Sequence, residues 1–148
     1  MNSKRFKMPV AVHLFLINGS KILLLRRYNT GYQDGNYSVI AGHLDGNEEV
    51  KTAMIREAEE EAGISISLED LEVVGVMHRK SGHDERIDFF LTANKWNGTI
   101  KNMERNKCDG LLWVEMNDLP DNVIPYIRKA ISNYQEKKHF DDFGWTEK

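Results

Sequence analysis

GHLDGNEEVKTAMIREAEEEAGI, running from Gly42 to Ile64, is the stretch on which the reading of this 148-residue chain turns. Its apolar residues recur at helical spacing, which predicts a helix over 48–62. Asn47 is the expected N-cap, acidic residues fill the first turn, and Gly63 stands where a left-handed C-terminal cap belongs. A helix advances about 100° per residue, so Glu61 lies roughly 40° to one side of Glu57 and Glu60 roughly 60° to the other. Three carboxylates therefore share one face. Met54, Ile55, Ala58 and Ala62 form an apolar stripe beginning beside them, and Val50 and Ala53 share the carboxylate face one or two turns earlier. Ordinary solvated charge would lie opposite that stripe.

The spacing has a cost. Glu57 and Glu61 are a like-charge i,i+4 pair, unfavourable by about 0.2–0.5 kcal/mol on an exposed helix and by more when partly buried. Arg56 offers local relief through Glu60. A hard divalent cation would relieve the rest, because magnesium prefers carboxylate oxygens and shares its octahedron with waters and substrate phosphates. Taken alone, Glu59-Glu60-Glu61 is ordinarily a solvated helix face. The glycines at either end change that reading.

Outward from the helix, Val10 to Ile17 reads as a strand. Asn18-Gly19 is a hairpin signal, and Lys21 to Arg26 returns as the partner strand. Tyr28 to Asn36 is a polar surface loop, and Tyr37 to Ile40 a short strand running into Gly42. Leu71 to Met77 and Ile87 to Ala93 read as strands joined by a loop at Lys80 to Arg86; a second loop, Asn97 to Asp109, leads to a strand at Leu111 to Glu115. A last helix carries Val123, Ile127, Ala130, Ile131 and Tyr134, with Pro125 in its first turn. His139 to Lys148 gives no clear pattern. The sum is a mixed sheet with two principal helices packed on its faces, an α/β arrangement.

The pattern Gly42, five residues, Glu48, seven residues, Arg56-Glu57-Ala58, one residue, Glu60-Glu61, one residue, Gly63-Ile64 resembles the complete Nudix box. Seven fixed residues, each about 5–10% frequent, meet by chance on the order of once in a hundred million start sites, so the resemblance outweighs the solvated-face reading. The preceding hairpin, Ala41-Gly42-His43, and the later Met103-Glu104-Arg105-Asn106-Lys107-Cys108 to Trp113-Val114 are similar to the MutT-like branch of that superfamily, covering 10–134. The chain departs from the pattern at Arg105-Asn106, where a Pro-acid pair is common.

The resemblance implies a mixed β-sheet sandwiched between helices (α+β), as a single domain over 1–148 with its core at about 10–136. It implies a magnesium-dependent hydrolase, manganese being the alternative ion, acting on a phosphoanhydride of a nucleoside triphosphate or another nucleoside diphosphate derivative. Glu57, Glu60 and Glu61 are then similar to the family's metal ligands, with the Ala41 carbonyl as a further one. Arg56 would orient Glu57, and Glu48 would support the loop or, indirectly, the metal site. Glu104 resembles the acid that some members use as an additional ligand or general base; an acid on a polar loop is otherwise simply solvated. Glu57 is the favoured proton acceptor, with Glu104 the rival.

The remaining assignments rest on position. Arg26 and Arg27 end a strand beside the polar loop, where they meet phosphates or serve as plain surface charge. Tyr32 and Tyr37 are candidates for stacking on a nucleobase, Tyr37 being equally a core residue; His43 faces either ligand or loop. His78 and His83 lack metal-ligand spacing and are read as structural, Cys108 as a small buried hydrophobe and Trp113 as core.

Composition limits the partners. The net charge of -3 argues against a general nucleic-acid binder and for a nucleotide-derived small molecule. One cysteine rules out an internal disulfide and fits a reducing compartment. No signal-like or membrane-spanning stretch is evident, from Met1–Pro9 onward, so a cytoplasmic protein is expected, with a homodimer allowed. The box does not separate a nucleotide sugar, ADP-ribose, a dinucleoside polyphosphate or an oxidised deoxynucleoside triphosphate as substrate. A Nudix-fold sensor without turnover is the alternative outside the enzymes. Prenyl diphosphate isomerase chemistry also exists on this fold, but its cysteine and acid signature is not evident here.

Overall fold

The structure, a computed structural model, describes residues 4–145; the ends of the N-terminal segment and of the tail, residues 1–3 and 146–148, lie outside it. The described residues form strands β1 (Val10–Asn18), β2 (Lys21–Arg27), β3 (Tyr37–Ser38), β4 (Ile40–His43), β5 (Glu72–Ser81), β6 (Asp84–Ala93), β7 (Cys108–Glu115) and β8 (Phe140–Phe143). Helix α1 (Val50–Ala62) lies between β4 and β5, and α2 (Pro125–Gln135) between β7 and β8. This is the expected mixed sheet with a helix on each face. Among the described residues no helix is long and apolar enough to cross a membrane.

The apolar run of β1 is explained by burial on both faces. Val12, Leu14 and Leu16 belong to one core cluster with Ala53, Met54 and Ala58 of α1. Phe15, one residue out of phase, belongs to a second cluster with Ile127, Ala130 and Ile131 of α2. A two-residue period thus divides one strand between two cores.

One edge of β1 pairs in parallel with β6, Val10 opposite Ile87 through Leu16 opposite Ala93. The other edge is shared. Its beginning pairs with β4, Ala11 opposite His43 and Leu14 opposite Ile40, while its end pairs with β2, Ile17 opposite Ile22. Strand β2 goes on to carry β3 and β7. Two strands leaving one edge at different ends must diverge, and a cleft opens between them.

Several boundaries differ from the sequence reading. Asn18 pairs with Lys21, so the hairpin turn is Gly19-Ser20, with Gly19 at φ 64°. Helix α1 starts at Val50, capped by Glu49 without a side-chain hydrogen bond, while Asn47 sits in the loop at φ 56°. The acids expected in the first turn are drawn elsewhere: Glu48 accepts from the Asp45 N–H and from Arg56. Gly63 does cap the helix, at φ 70°, donating its N–H to the Glu59 carbonyl. The loop expected at Lys80 to Arg86 is a tight hairpin, because Arg79 pairs with Arg86 and Lys80 with Glu85 up to a turn at Gly82. Strand β7 begins at Cys108, three residues early, and crosses a register shift at Arg26/Arg27. The tail forms β8, parallel to β5, and Trp145 donates its indole N–H to the His78 carbonyl.

Candidate active site

Helix α1 packs beside β4, and the contact works only because Gly42 has no side chain. A Cβ built there would lie inside the van der Waals envelope of Glu57 Cδ and both its carboxyl oxygens. Glu57 is buried, and Arg56 Nη1 donates to its Oε2 at 2.8 Å. The same guanidinium donates to Glu48 at 2.7 and 3.2 Å and to the His43 carbonyl at 3.2 Å. Asp45 and Glu60 stand 3.3 and 3.7 Å from it. Arg56 is thus the cation around which the loop before α1 is wound, and its bond to Glu57 fixes that carboxylate.

Glu61 lies one turn on, and its Oε1 accepts the Ala41 N–H at 3.3 Å. Its carboxyl group is held well above the usual carboxylate range, first by loss of hydration, then by the hydrogen bond to and charge of Glu57, with Glu104 adding in the same sense. Two carboxyl groups this close raise the cost of charging both, and a hard cation would offset that cost. Among the described residues no three His, Cys, Asp or Glu side chains close into a metal cage. Glu60 is more than half exposed beside Arg56. Magnesium does not require a closed cage, since it keeps several waters and binds through one or two carboxylates with substrate phosphates. Glu57 and Glu61 fit that demand.

A cavity of about 520 Å³ occupies the cleft between β4 and β2, with Ala41, Gly42, Glu61 and Glu104 among the residues that line it. Glu104 is part of a turn in which its N–H donates to Asn102 Oδ1 at 3.1 Å and Cys108 N–H donates to its carbonyl. Of the residues expected to meet substrate, Arg26, Arg27, Tyr32 and His43 line the cavity. Arg26 is neutralised by a bidentate bond to Asp109 at 2.7 and 2.9 Å. Arg27 donates to the Tyr32 carbonyl at 2.7 Å and lies 5.1 Å from the Tyr32 ring, on a loop braced by Asp34. His43 Nε2 stands 3.3 Å from Arg86. Tyr37 is not among the lining residues. It packs against the α2 core cluster, and its N–H bonds the Asn122 carbonyl, so its other expected role, as a core residue, describes its place. Cys108 is buried and its thiol is pushed up by loss of hydration; Trp113 is half-buried against the α1 cluster.

Sequence reasoning missed a second cluster of residues beside the cavity. There Arg79 donates to Asp88 through Nε at 2.7 Å and Nη2 at 3.3 Å, and its Cζ lies 3.6 Å from the Tyr126 ring centroid. His13 Nε2 lies 3.0 Å from the same carboxylate. Asp88 has no exposed surface. The available signal was a charged residue inside the apolar run Ile87-Asp88-Phe89-Phe90 and a histidine inside β1.

Because Asp88 accepts only, His13 carries its proton on Nε2, and Nδ1 is buried without a partner. Burial lowers its pKa to about 4, against the opposing pull of Asp88. The folded ring therefore stays neutral between pH 6.5 and about 4 while the unfolded chain takes up a proton. Stability contributed by His13 is present above pH 6.5 and is lost on acidification, by about 1.4 kcal/mol per pH unit across that window. Urea unfolding between those pH values is expected to show a shallower acid loss in His13→Gln than in the wild type. Equal acid sensitivity in both would contradict this.

Residues 7–134 match the family profile described as NUDIX domain. Among solved structures, the chain is similar to a MutT NUDIX hydrolase from Burkholderia pseudomallei at 22% identity and TM-score 0.78, covering 86% of this chain and 98% of that one. It is similar to a MutT protein from Methanosarcina mazei Go1 at 18% identity and TM-score 0.74, with coverage of 90% and 98%. A structure named ADP compounds hydrolase matches at 21% identity and TM-score 0.70, over 89% and 74%. At these identities the likenesses establish the fold.

Proposed function

The chain belongs to the NUDIX domain family, and from that premise we propose that it is a magnesium-dependent hydrolase that cleaves a phosphoanhydride of a nucleoside triphosphate or another nucleoside diphosphate derivative. The observation that carries the reading is the Glu57 carboxylate, seated in the space Gly42 leaves, fixed by Arg56 and pressed against Glu61. Glu57 and Glu61 would hold the ion, with Glu60, the Ala41 carbonyl and Glu104 completing the donor set. The chemistry a bound divalent ion supplies is screening of the anhydride oxygens and activation of water. Water attacks phosphorus, the P–O bond to the bridging oxygen breaks, and Glu57 accepts the proton at Oε1, since Oε2 is engaged by Arg56. Arg27 and Lys107, both on the cavity wall, face the charge of the phosphate chain. A structural neighbour named for ADP compounds agrees with this substrate class.

The test is release of phosphate or pyrophosphate from a panel of nucleoside triphosphates, nucleotide sugars and dinucleotides, with magnesium and with chelator. Release from one class, abolished by chelator, is the expected result. Tight binding without release would identify a sensor instead.

A further inference from the structure

The part of the cavity wall around Arg79 has a chemistry of its own. Counting across the sheet, His43 on β4 is opposite Ala11 on β1, Ala11 is opposite Asp88 on β6, and Asp88 holds the guanidinium of Arg79, which reaches back from β5. Two strand spacings of about 4.8 Å separate β4 from β6, where Asp88 holds the Arg79 guanidinium. A ligand holding its phosphates at Glu57 and Glu61 would therefore extend its other end toward Arg79.

Arg79 is not arranged as an anion anchor. Asp88, fully buried and 2.7 Å away, neutralises it, so what it presents is a directional donor with little net charge. Its Nε and Nη2 serve Asp88, and one guanidinium face lies on Tyr126. The terminal edge, Nη1 with the second N–H of Nη2, is what remains for a ligand, and Arg79 lines the cavity. Two parallel N–H groups on a rigid plane match two adjacent acceptors. Among the common bases, guanine offers such a pair at O6 and N7, and cytosine at O2 and N3. Adenine and uracil break the pair, because each of their acceptors has a donor or a C–H beside it. Tyr32 and Tyr126 supply aromatic surface on the cavity wall.

Resting on the hydrolase reading for the orientation of the ligand, we infer that Arg79, held by Asp88 and Tyr126, is a specificity-determining residue that selects nucleotides whose base carries two adjacent hydrogen-bond acceptors, guanine or cytosine over adenine or uracil. Asp88 is a positioning residue in this scheme.

Calorimetric binding of GMP, CMP, AMP and UMP to the full chain without metal tests it apart from turnover. The wild type is expected to bind GMP or CMP about 10-fold or more tightly than AMP and UMP. Arg79→Lys, which keeps a cation beside Asp88 but loses the fork, should bring the four within about 3-fold of one another. Glu57→Gln should leave the ranking intact. Equal affinities in the wild type, or preference for adenine or uracil, would overturn the inference whether or not Arg79→Lys folds. So would a uniform loss across all four bases in Arg79→Lys, which would make Arg79 a phosphate anchor or a structural residue. Absence of binding by all four also overturns it, and the hydrolase reading is then judged separately, by magnesium-dependent release from the wild type.

Discussion

Glu57→Gln is expected to reduce kcat by about 10²–10⁴-fold while leaving the fold intact. The substitution keeps the shape of a side chain packed against Gly42 and removes only its charge. Arg56 retains both hydrogen bonds to Glu48, so the loop before α1 keeps its central cation satisfied. The amide oxygen still accepts from Arg56. Without metal the variant should melt at or above the wild-type temperature, because the Glu57 charge, which adds to loss of hydration in holding the Glu61 carboxyl above the usual carboxylate range, is removed. Added magnesium should raise the wild-type melting temperature and have little effect on the variant. Melting curves with and without magnesium, beside steady-state kinetics, check both parts. A variant with kcat within about tenfold of wild type would remove Glu57 from the chemistry.

Gly42→Ala is expected to cost more in activity than in stability. The added methyl group would occupy the space of the Glu57 carboxyl group, which lies at the free end of a flexible side chain. The carboxyl can swing aside, so the fold should lose only about 1–3 kcal/mol, the usual cost of overpacking. The displaced oxygen would lose its place beside Arg56 Nη1 and its alignment with Glu61. A displacement of this size in a reacting group costs about 10²-fold or more. Comparing the change in kcat with the change in urea midpoint separates the two. Parallel losses would mean that Gly42 serves the fold alone.

The sequence was most legible where the cause of structure is local. Helix α1 and its glycine cap follow from periodicity and from the left-handed conformation at Gly63. Strand β1 follows from the β-branched and large apolar residues of Val10 to Ile17, while its division between two cores came from the structure. The carboxylate face follows from helix geometry, and Arg56 beside Glu57 from adjacency. Misreadings fell where a distant partner decided the outcome. Asn47 lost the cap position because Glu48 was drawn back to Arg56, and β8 formed because the edge of β5 was open to it.

By itself, the sequence determined that an acidic helix capped by Gly63 would carry Glu57, Glu60 and Glu61 on one face, because spacing along one helix is a local property. Only the tertiary structure decided that the Glu61 carboxyl meets the Ala41 N–H, and that Asp88 gathers Arg79 and His13 beside Tyr126 at the wall of the same cavity. Those four residues come from three strands and a helix spread over more than a hundred positions. Pairing across a sheet depends on register between distant segments, and no local pattern encodes it.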